Sequence, residues 1–409
     1  MDWTDTTEQE AFRGDVRELI GRMPARYEAM ANRVDWPGSY TQWARDRISD
    51  EPGAKEAAAE WLSAFAEKGW VAPHWPQEYG GGGLSPMEQF ILNQEIATSN
   101  APGAGSNVGI GMLGPALIVH GTEAQKKRFL PGILAGEVVW AQGFSEPGAG
   151  SDLASLQTRA VRDGDEYLIN GQKIWTTHGH YADWVLLLTR TDPDAPKHRG
   201  ISFLLVDKYS PGVTVRPIID MSWGHEVNET FFEDVRIPAD QIVGEENRGW
   251  YVAMTLLDNE RSNIAGAVRM ERTIRRLIDY VGTEEGAQRS RVSDLDSVRQ
   301  RIAHHYIEAG VMMNFSLRII TIQAHGQVPN YEASVSKLFG SEVSRELDND
   351  GVKVFGLYGN LWDANDPRSP FEARFTKGWV RGVPGTIAGG SSEVQRNVIA
   401  TRGLGLPRG

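Results

Sequence analysis

Hydrophobic and polar positions divide the chain into three stretches with different periods. Over residues 7–136 apolar side chains such as Val16 and Leu19 recur every three or four positions, which predicts amphipathic helices. Over residues 138–243 the period changes to two, with short apolar runs, which predicts strands. From residue 249 onward the helical period returns. The pattern therefore predicts an α+β protein, with an N-terminal α-helical domain (1–137), a middle β domain, barrel or sandwich (138–245), and a C-terminal helical bundle (246–409).

Turn and cap signals set the expected elements within these stretches. Asp163-Gly164 and Asn170-Gly171 each predict a hairpin turn in the β domain. Strands are predicted at Trp184 to Asp192, Ile201 to Asp207 and Val213 to Ile218. Helices are predicted at Ala57 to Lys68, Ser85 to Ala97 (Ser85 as N-cap), Trp250 to Val281, Asp296 to Ala324 and Tyr331 to Asp350.

Composition excludes several classes of function. The 409 residues carry 42 Lys and Arg against 54 Asp and Glu, a net charge of −12, which opposes binding to nucleic acid or anionic lipid. The sequence contains no cysteine, so disulfides, thiolate metal sites and cysteine nucleophiles are excluded. The first residues do not read as a signal peptide, and no run of apolar residues reaches the length of a membrane span. We expect a cytoplasmic protein with a small-molecule substrate.

Two segments of the middle stretch carry candidate chemistry. SEPGAGSD, from Ser145 to Asp152, is a loop of small residues whose backbone can approach a ligand closely. In NGQKIWTTHG, Trp175 beside Thr177 suits a flat heteroaromatic ring, although a core tryptophan is the alternative. The nearby histidines have no third ligand at a metal-binding spacing, so no metal site is expected; they are His178, His180 and His225.

Four motifs in order resemble the acyl-CoA dehydrogenases: SEPGAGSD, NGQKIWTTHG, FFEDVRIPADQIVGEENRGW and GTIAGGSSEVQRNVIATRGLGLP. The resemblance covers nearly the whole chain. It implies bound FAD, an acyl-CoA substrate, an electron-transfer flavoprotein as electron acceptor, and a dimer or tetramer. In such enzymes a carboxylate removes the α proton while the β hydrogen leaves as hydride to the flavin.

The resemblance also implies roles for individual residues. Cofactor contacts carried over by motif are Gln142, Phe144, Ser145, Trp175, Thr177, Lys353, Gly356, Ser391 and Glu393. Substrate contacts carried over in the same way are Ser151, Asp258, Arg261 and Gly389.

The catalytic base is expected on a helix rather than in the C-terminal loop. Many family members place a Glu where this chain has Gly389, and a second subset places it in a pattern that LLDNERSNIAG resembles, which selects Glu260. On a continuous helix, Glu260 lies on one face with Leu257 and Ile264, where an unpaired carboxylate is costly and its pKa rises. A structural ion pair with Arg261 is the alternative. A rival base, Glu393, is favoured at its helix start by the helix dipole alone.

Two departures from the family pattern keep alternatives open. The missing side chain at Gly389 predicts room for a longer, branched or bulky acyl group. VKVFGLYG has Lys353 where the family usually has Gln and Leu357 where it has a second Gly, and the expected intersubunit Arg cannot be aligned. The chain could therefore be an FAD-poor or half-active subunit of a hetero-oligomer with a paralogous subunit. An oxidase or monooxygenase relative is the third alternative.

Overall fold

The computed structural model describes residues 4–33, 41–257 and 263–407. Helices precede and follow a single sheet, which confirms the predicted order of an N-terminal helical, a middle β and a C-terminal helical part. The α-helices are α1 Thr7–Ile20, α2 Ala25–Ala31, α3 Gln42–Asp46, α4 Ala54–Glu67, α5 Pro86–Ser99, α6 Gly114–His120, α7 Glu123–Leu134, α8 Gly249–Leu257, α9 Ile264–Val281, α10 Glu284–Arg289, α11 Asp296–Ala324, α12 Tyr331–Phe355, α13 Arg374–Arg381 and α14 Ser392–Val398.

The sheet is built around two largely apolar, buried strands. The strands are β1 Trp140–Gly143, β2 Arg159–Asp163, β3 Glu166–Lys173, β4 Trp184–Arg190, β5 Ile201–Asp207, β6 Val213–Ile218 and β7 Val227–Pro238. Their order is β1-β4-β2-β3-β7-β6, and β5 pairs with β4. The continuous apolar runs of β4 and β5 are buried because they pair along their whole length inside the core.

The predicted turn at Asp163-Gly164 is confirmed. Asp163 pairs with Glu166 across a two-residue loop in which Gly164 has φ +66°. The second predicted turn, at Asn170-Gly171, is wrong, because both residues lie inside β3, where the pairing with β7 shifts between Ile169 and Gly171. A Cβ on Gly171 would lie 2.6 Å from the Thr158 hydroxyl oxygen, so glycine is required there by the close approach of two backbones.

The ends of β1 and β3 lie at the same edge of the sheet. Residues of β3 beyond Asn170 continue past the first residue of β2, because Arg159 pairs with Asn170. Just beyond β3, the Ile174 amide donates a hydrogen bond of 2.9 Å to the Ser145 carbonyl, just beyond β1. The two segments singled out in the sequence are therefore neighbours, although Ser145 and Ile174 are 29 positions apart along the chain.

The chain forms two compact units that do not follow the sequence segments. One, which we call the helical unit, comprises Met1–Gly38, Ser85–Ala101 and Arg261–Gly409. The other, which we call the sheet unit, comprises Ser39–Leu84 and Pro102–Glu260. In the first, α5 packs with α1, α9 and α11 around a cluster that includes Ile91 and Ile320. The predicted domain bounds at 137 and 245 stay predictions.

The predicted single helix from Trp250 to Val281 is wrong. α8 ends at Leu257, and α9 begins at Ile264 after Asn263, whose φ of 49° and ψ of 24° are left-handed. Asn adopts this conformation more readily than most residues. Ile264 therefore does not continue the helical face of α8. Among the described residues, no helix has the length and apolarity needed to cross a membrane.

Candidate functional site

The described candidate residues fall into three groups, one in the sheet unit and two in the helical unit. In the sheet unit, Gln142 lies on β1 and is partly buried. Phe144 is buried, and its ring packs edge-on against Phe203 with ring centroids 6.2 Å apart, so only its main chain can face a ligand. Ser145 follows and is held by the hydrogen bond from Ile174.

Trp175 is exposed to solvent on a loop that is hydrogen-bonded to β7. Its backbone is left-handed, with φ 60°, and 57% of the residue surface is exposed. The next residue, Thr176, exchanges two backbone hydrogen bonds of 2.9 and 3.1 Å with Asn228 on β7. Thr177 is exposed. The loop therefore offers a flat aromatic face beside a hydroxyl group.

Two buried residues within these segments were missed by the sequence analysis. Glu146 and Lys173 form a buried ion pair, with 2.8 Å between Oε1 and Nζ. The alternation of buried and exposed positions along β3 could have identified Lys173, since Tyr167, Ile169 and Lys173 are the buried residues of the strand. A lysine at such a position needs a buried partner.

The histidines of this region organise the loop. His180 stacks on His225 with ring centroids 3.8 Å apart, and Asn228 bonds both rings at 3.1 and 2.7 Å. His178 Nε2 lies 2.6 Å from Glu226 Oε2. Burial, together with the neighbouring His225 and His178, lowers the pKa of His180 to about 4. No group of three or more His, Asp or Glu within the described chain has a geometry that could hold a metal ion.

Ser151 lies on the exposed part of the loop that connects β1 to β2. The next residue, Asp152, accepts hydrogen bonds from Ser155 and, at 2.8 Å, from Lys197. The hydroxyl of Ser151 is thus accessible on a loop that is fixed beside it.

In the helical unit, the second group surrounds the start of α14. The Ser391 side chain caps this helix by accepting from the Val394 amide at 3.4 Å. Glu393 is exposed, and hydrogen bonds from its own backbone amide and the Ser391 hydroxyl lower its pKa.

Two glycines before this helix form what we call the tail loop, Gly389 and Gly390. Both are left-handed, with φ +64° and +89°. The Gln395 amide group donates to their carbonyls at 3.1 and 3.4 Å, and Lys337 Nζ donates to the Gly390 carbonyl at 2.5 Å. Burial lowers the pKa of Lys337. The sequence analysis missed Lys337 and Gln395, and 53 residues separate Lys337 from Gly390.

The third set lies where α12 ends. Lys353 donates to Asp350 at 3.2 Å, so its charge is already paired within the chain. Burial acts to raise the pKa of Asp350, but hydrogen bonds from Arg301, His305 and Lys353 lower it overall. Gly356 is left-handed, with φ 55°, and an added Cβ would lie 3.2 Å from the Arg291 side chain.

Three of the predicted residues, Asp258, Glu260 and Arg261, lie outside the described residues.

Comparison with known families identifies the chain. Models of the N-terminal, middle and C-terminal domains of acyl-CoA dehydrogenases match residues 6–137, 141–235 and 247–404. The chain belongs to the acyl-CoA dehydrogenase family. This confirms the resemblance drawn from the four motifs, and the chain is an oxidoreductase of that family.

Relatives match over nearly the full length. Acyl-CoA dehydrogenase FadE29 of Mycobacterium tuberculosis is 40% identical over 408 residues, which cover 98% of each chain. Among solved structures, a Tcur3481-Tcur3483 steroid ACAD is 32% identical with a TM-score of 0.83. The ChsE4-ChsE5 complex from Mycobacterium tuberculosis is 33% identical with a TM-score of 0.81. Each of these structures covers all of this chain and is itself covered completely.

Acyl-CoA dehydrogenases are FAD-dependent flavoproteins. The residues of the sheet unit fit this cofactor chemically. An isoalloxazine ring needs a flat apolar contact together with hydrogen-bonding groups at its edge. The exposed face of Trp175 provides the first. Polar groups are provided by Thr177, two residues later, by Ser145, which is hydrogen-bonded to Ile174, and by Gln142 on β1.

Proposed function

We propose that the protein is an FAD-dependent acyl-CoA dehydrogenase that converts an acyl-CoA thioester to the trans-2-enoyl-CoA. The proposal is carried by the hydrogen bond from the Ile174 amide to the Ser145 carbonyl at one edge of the sheet. This bond joins SEPGAGSD and NGQKIWTTHG, the two segments to which the resemblance assigns flavin contacts. It leaves Trp175 exposed in a loop that is hydrogen-bonded to β7 through Thr176.

The reaction removes two hydrogens from neighbouring carbons. The carboxylate of Glu260 takes the α proton, as the family resemblance implies, and the electron pair of the broken C–H bond forms the new double bond. Bound FAD supplies the acceptor for the β hydrogen, which leaves as hydride. The amide of Gly389 polarises the thioester carbonyl, because the α carbon becomes acidic only when charge on that oxygen is stabilised.

An anaerobic titration tests the assignment. Adding acyl-CoA to the yellow protein should bleach the absorbance of oxidised flavin. Glu260→Gln should retain FAD and abolish bleaching, whereas Glu271→Gln, which removes an exposed ion pair with Arg275 on α9, should bleach normally. Normal bleaching in Glu260→Gln would refute the assignment of the base, and its loss in Glu393→Gln with FAD still bound would transfer the role to Glu393.

The finer proposal concerns the substrate, which we infer to be bulky. A Cβ added to Gly389 would meet no atom of the described residues within 4 Å, so the family's usual side chain is replaced by open space. The similarity to a steroid ACAD supports including a steroid-derived thioester among the candidates. A panel of straight-chain, branched, aromatic and steroid CoA thioesters should favour a bulky member.

Replacing Gly389 separates steric exclusion from strain. Gly389→Leu should lower kcat/KM for the bulky thioester much more than for a short one, because added volume discriminates and backbone strain does not. Gly385→Leu is the control, since this nearby glycine also has open space and no left-handed φ. An equal loss for both substrates in Gly389→Leu would contradict the proposal.

A hetero-oligomer is a second candidate, favoured by the end of α12. Lys353 is paired with Asp350, and the side chain of Leu357, where the family has glycine, is on a residue 89% exposed. The ChsE4-ChsE5 relative is itself a complex of two proteins. A colourless or unstable purified chain that gains FAD with a paralogous subunit would support this candidate, and a yellow, active homo-oligomer would refute it.

The electron acceptor follows from the same resemblance. We propose an electron-transfer flavoprotein as the acceptor. Reduction of that protein without peroxide formation is the expected result, while peroxide formed in air with no added acceptor would indicate an oxidase.

A further inference from the structure

The ion pair between Glu146 of SEPGAGSD and Lys173 of NGQKIWTTHG is deeply buried. The Lys173 side chain is 0% exposed and that of Glu146 is 7% exposed. Lys173 Nζ also donates to the Phe144 carbonyl at 3.1 Å. Lys173 thus joins the end of β3 to the residues that follow β1.

Glu146 closes the loop from its other side. Its carboxylate accepts from the amides of Gln157 at 2.6 Å and Thr158 at 2.8 Å. Its backbone exchanges two hydrogen bonds of 3.0 Å with Ala149. The single side chain therefore fixes both ends of the segment between β1 and β2, in which Ser145 and Ser151 lie.

Burial of this pair does not serve stability efficiently. Removing two charges from water costs free energy, and apolar residues of the same volume often stabilise a core at least as well. The cost is evident at Lys173, where burial lowers the pKa to about 8 although Glu146 acts to raise it. At Glu146, burial acts to raise the pKa, but Lys173 and the two amides lower it overall. What the pair supplies is direction, because its hydrogen bonds fix particular atoms of two loops.

We propose that Lys173 and Glu146 are positioning residues for the flavin, which set the placement of the Phe144–Ser145 main chain relative to Trp175. This inference rests on the proposed function, since it assumes that these segments hold FAD. Neither side chain need touch the cofactor. Lys173 is two residues from Trp175, and Glu146 is adjacent to Ser145, so a shift of either is transmitted directly along the backbone.

The test compares Lys173→Met with the neutral double variant Lys173→Met/Glu146→Gln. The single variant leaves a buried carboxylate without its cation and should lower the Tm of the FAD-free protein. The double variant removes that charge, and the carbonyl oxygen of the introduced amide still accepts from one of the two backbone N–H groups, so its Tm should recover part of the loss. Both variants should bind FAD about tenfold more weakly than the parent, because the directed bonds are lost in both.

Affinity is measured by titrating deflavinated protein with FAD and following the quenching of flavin fluorescence, with the visible circular dichroism of the bound flavin as a second readout. Arg236→Met is the control, since it removes an exposed ion pair with Asp163 and Glu166 on the same sheet and should change neither readout. A double variant with both Tm and FAD affinity of the parent would overturn the inference and leave a purely structural pair. Failure of the parent itself to bind FAD would instead refute the proposed function.

Discussion

The two glycines of the tail loop should respond very differently to alanine. Both have left-handed φ, so a Cβ strains each backbone, but a Cβ on Gly389 meets no atom of the described residues within 4 Å. A Cβ on Gly390 would lie 2.4 Å from the Gln395 side-chain nitrogen. Gly390→Ala therefore displaces Gln395 as well as straining the loop.

The structure gives the size of this difference. Left-handed backbone costs an alanine about 1–2 kcal/mol, and this cost applies to both variants. Displacing Gln395 removes hydrogen bonds to two carbonyls, at about 0.5–1.5 kcal/mol each. Gly390→Ala should therefore destabilise the loop by about 1–3 kcal/mol more than Gly389→Ala.

Amide hydrogen exchange is the appropriate assay, because a chain with two compact units need not unfold in one step. The backbone amide of Gln395, which donates to the Ser391 carbonyl, reports opening of the start of α14. Its exchange should be about 5- to 150-fold faster in Gly390→Ala than in Gly389→Ala. Gly385→Ala should leave the rate unchanged. Equal rates in the two tail-loop variants would refute the reasoning.

Three further changes have expected outcomes. Lys337→Met removes one anchor of the tail loop, at about 1 kcal/mol, and should raise KM for acyl-CoA roughly fivefold with a smaller change in kcat. Gly114→Ala would place a Cβ 1.8 Å from the fully buried Trp75 ring and should lower Tm, since such overpacking costs about 1–3 kcal/mol. His180 has a folded pKa of about 4 against an ordinary 6.5, so the unfolded chain binds more protons between these values. Stability should fall as pH drops from about 6.5 to 4, and His180→Gln should reduce that dependence in thermal melts.

Each of these predictions has its own control. Lys337→Arg keeps a donor and should retain most of the parent's KM. Gly111→Ala is the match for Gly114→Ala, because its Cβ would meet only an Asn107 oxygen at 3.8 Å, and equal Tm losses would contradict the packing argument. An unchanged pH dependence in His180→Gln would show that another group titrates.

Local signals were sufficient for most of the sheet. Ile201–Asp207 and Val213–Ile218 were predicted with the bounds that β5 and β6 have, because unbroken apolar runs and alternation both report burial. The sequence could not distinguish Asn170-Gly171 from a turn, because the glycine is required there by the close approach of Thr158, which lies on another segment. Asn263 likewise interrupts the predicted helix just before α9, although neither proline nor glycine marks the break in the sequence.

The site was predictable only as far as its motifs extend. Motif spacing located Trp175 and Ser391, whose roles stay predictions, but it gave no information on what supports them. Lys337 and Lys173 act through distant parts of the chain, and their partners are fixed by tertiary packing rather than by neighbours in sequence. The proposed base, Glu260, lies outside the described residues, so its assignment rests on the resemblance.

The composition of the helical unit affects how the chain must be made. The buried face of α5, with Phe90 and Ile91, packs against Ile264, Val268 and Ile320, which are synthesised more than 160 residues later. At about 5–20 residues per second, a ribosome would leave that face uncovered for roughly 10–45 s. Fragments that stop after the sheet should consequently be prone to aggregation and dependent on chaperones, even where the sheet itself is stable.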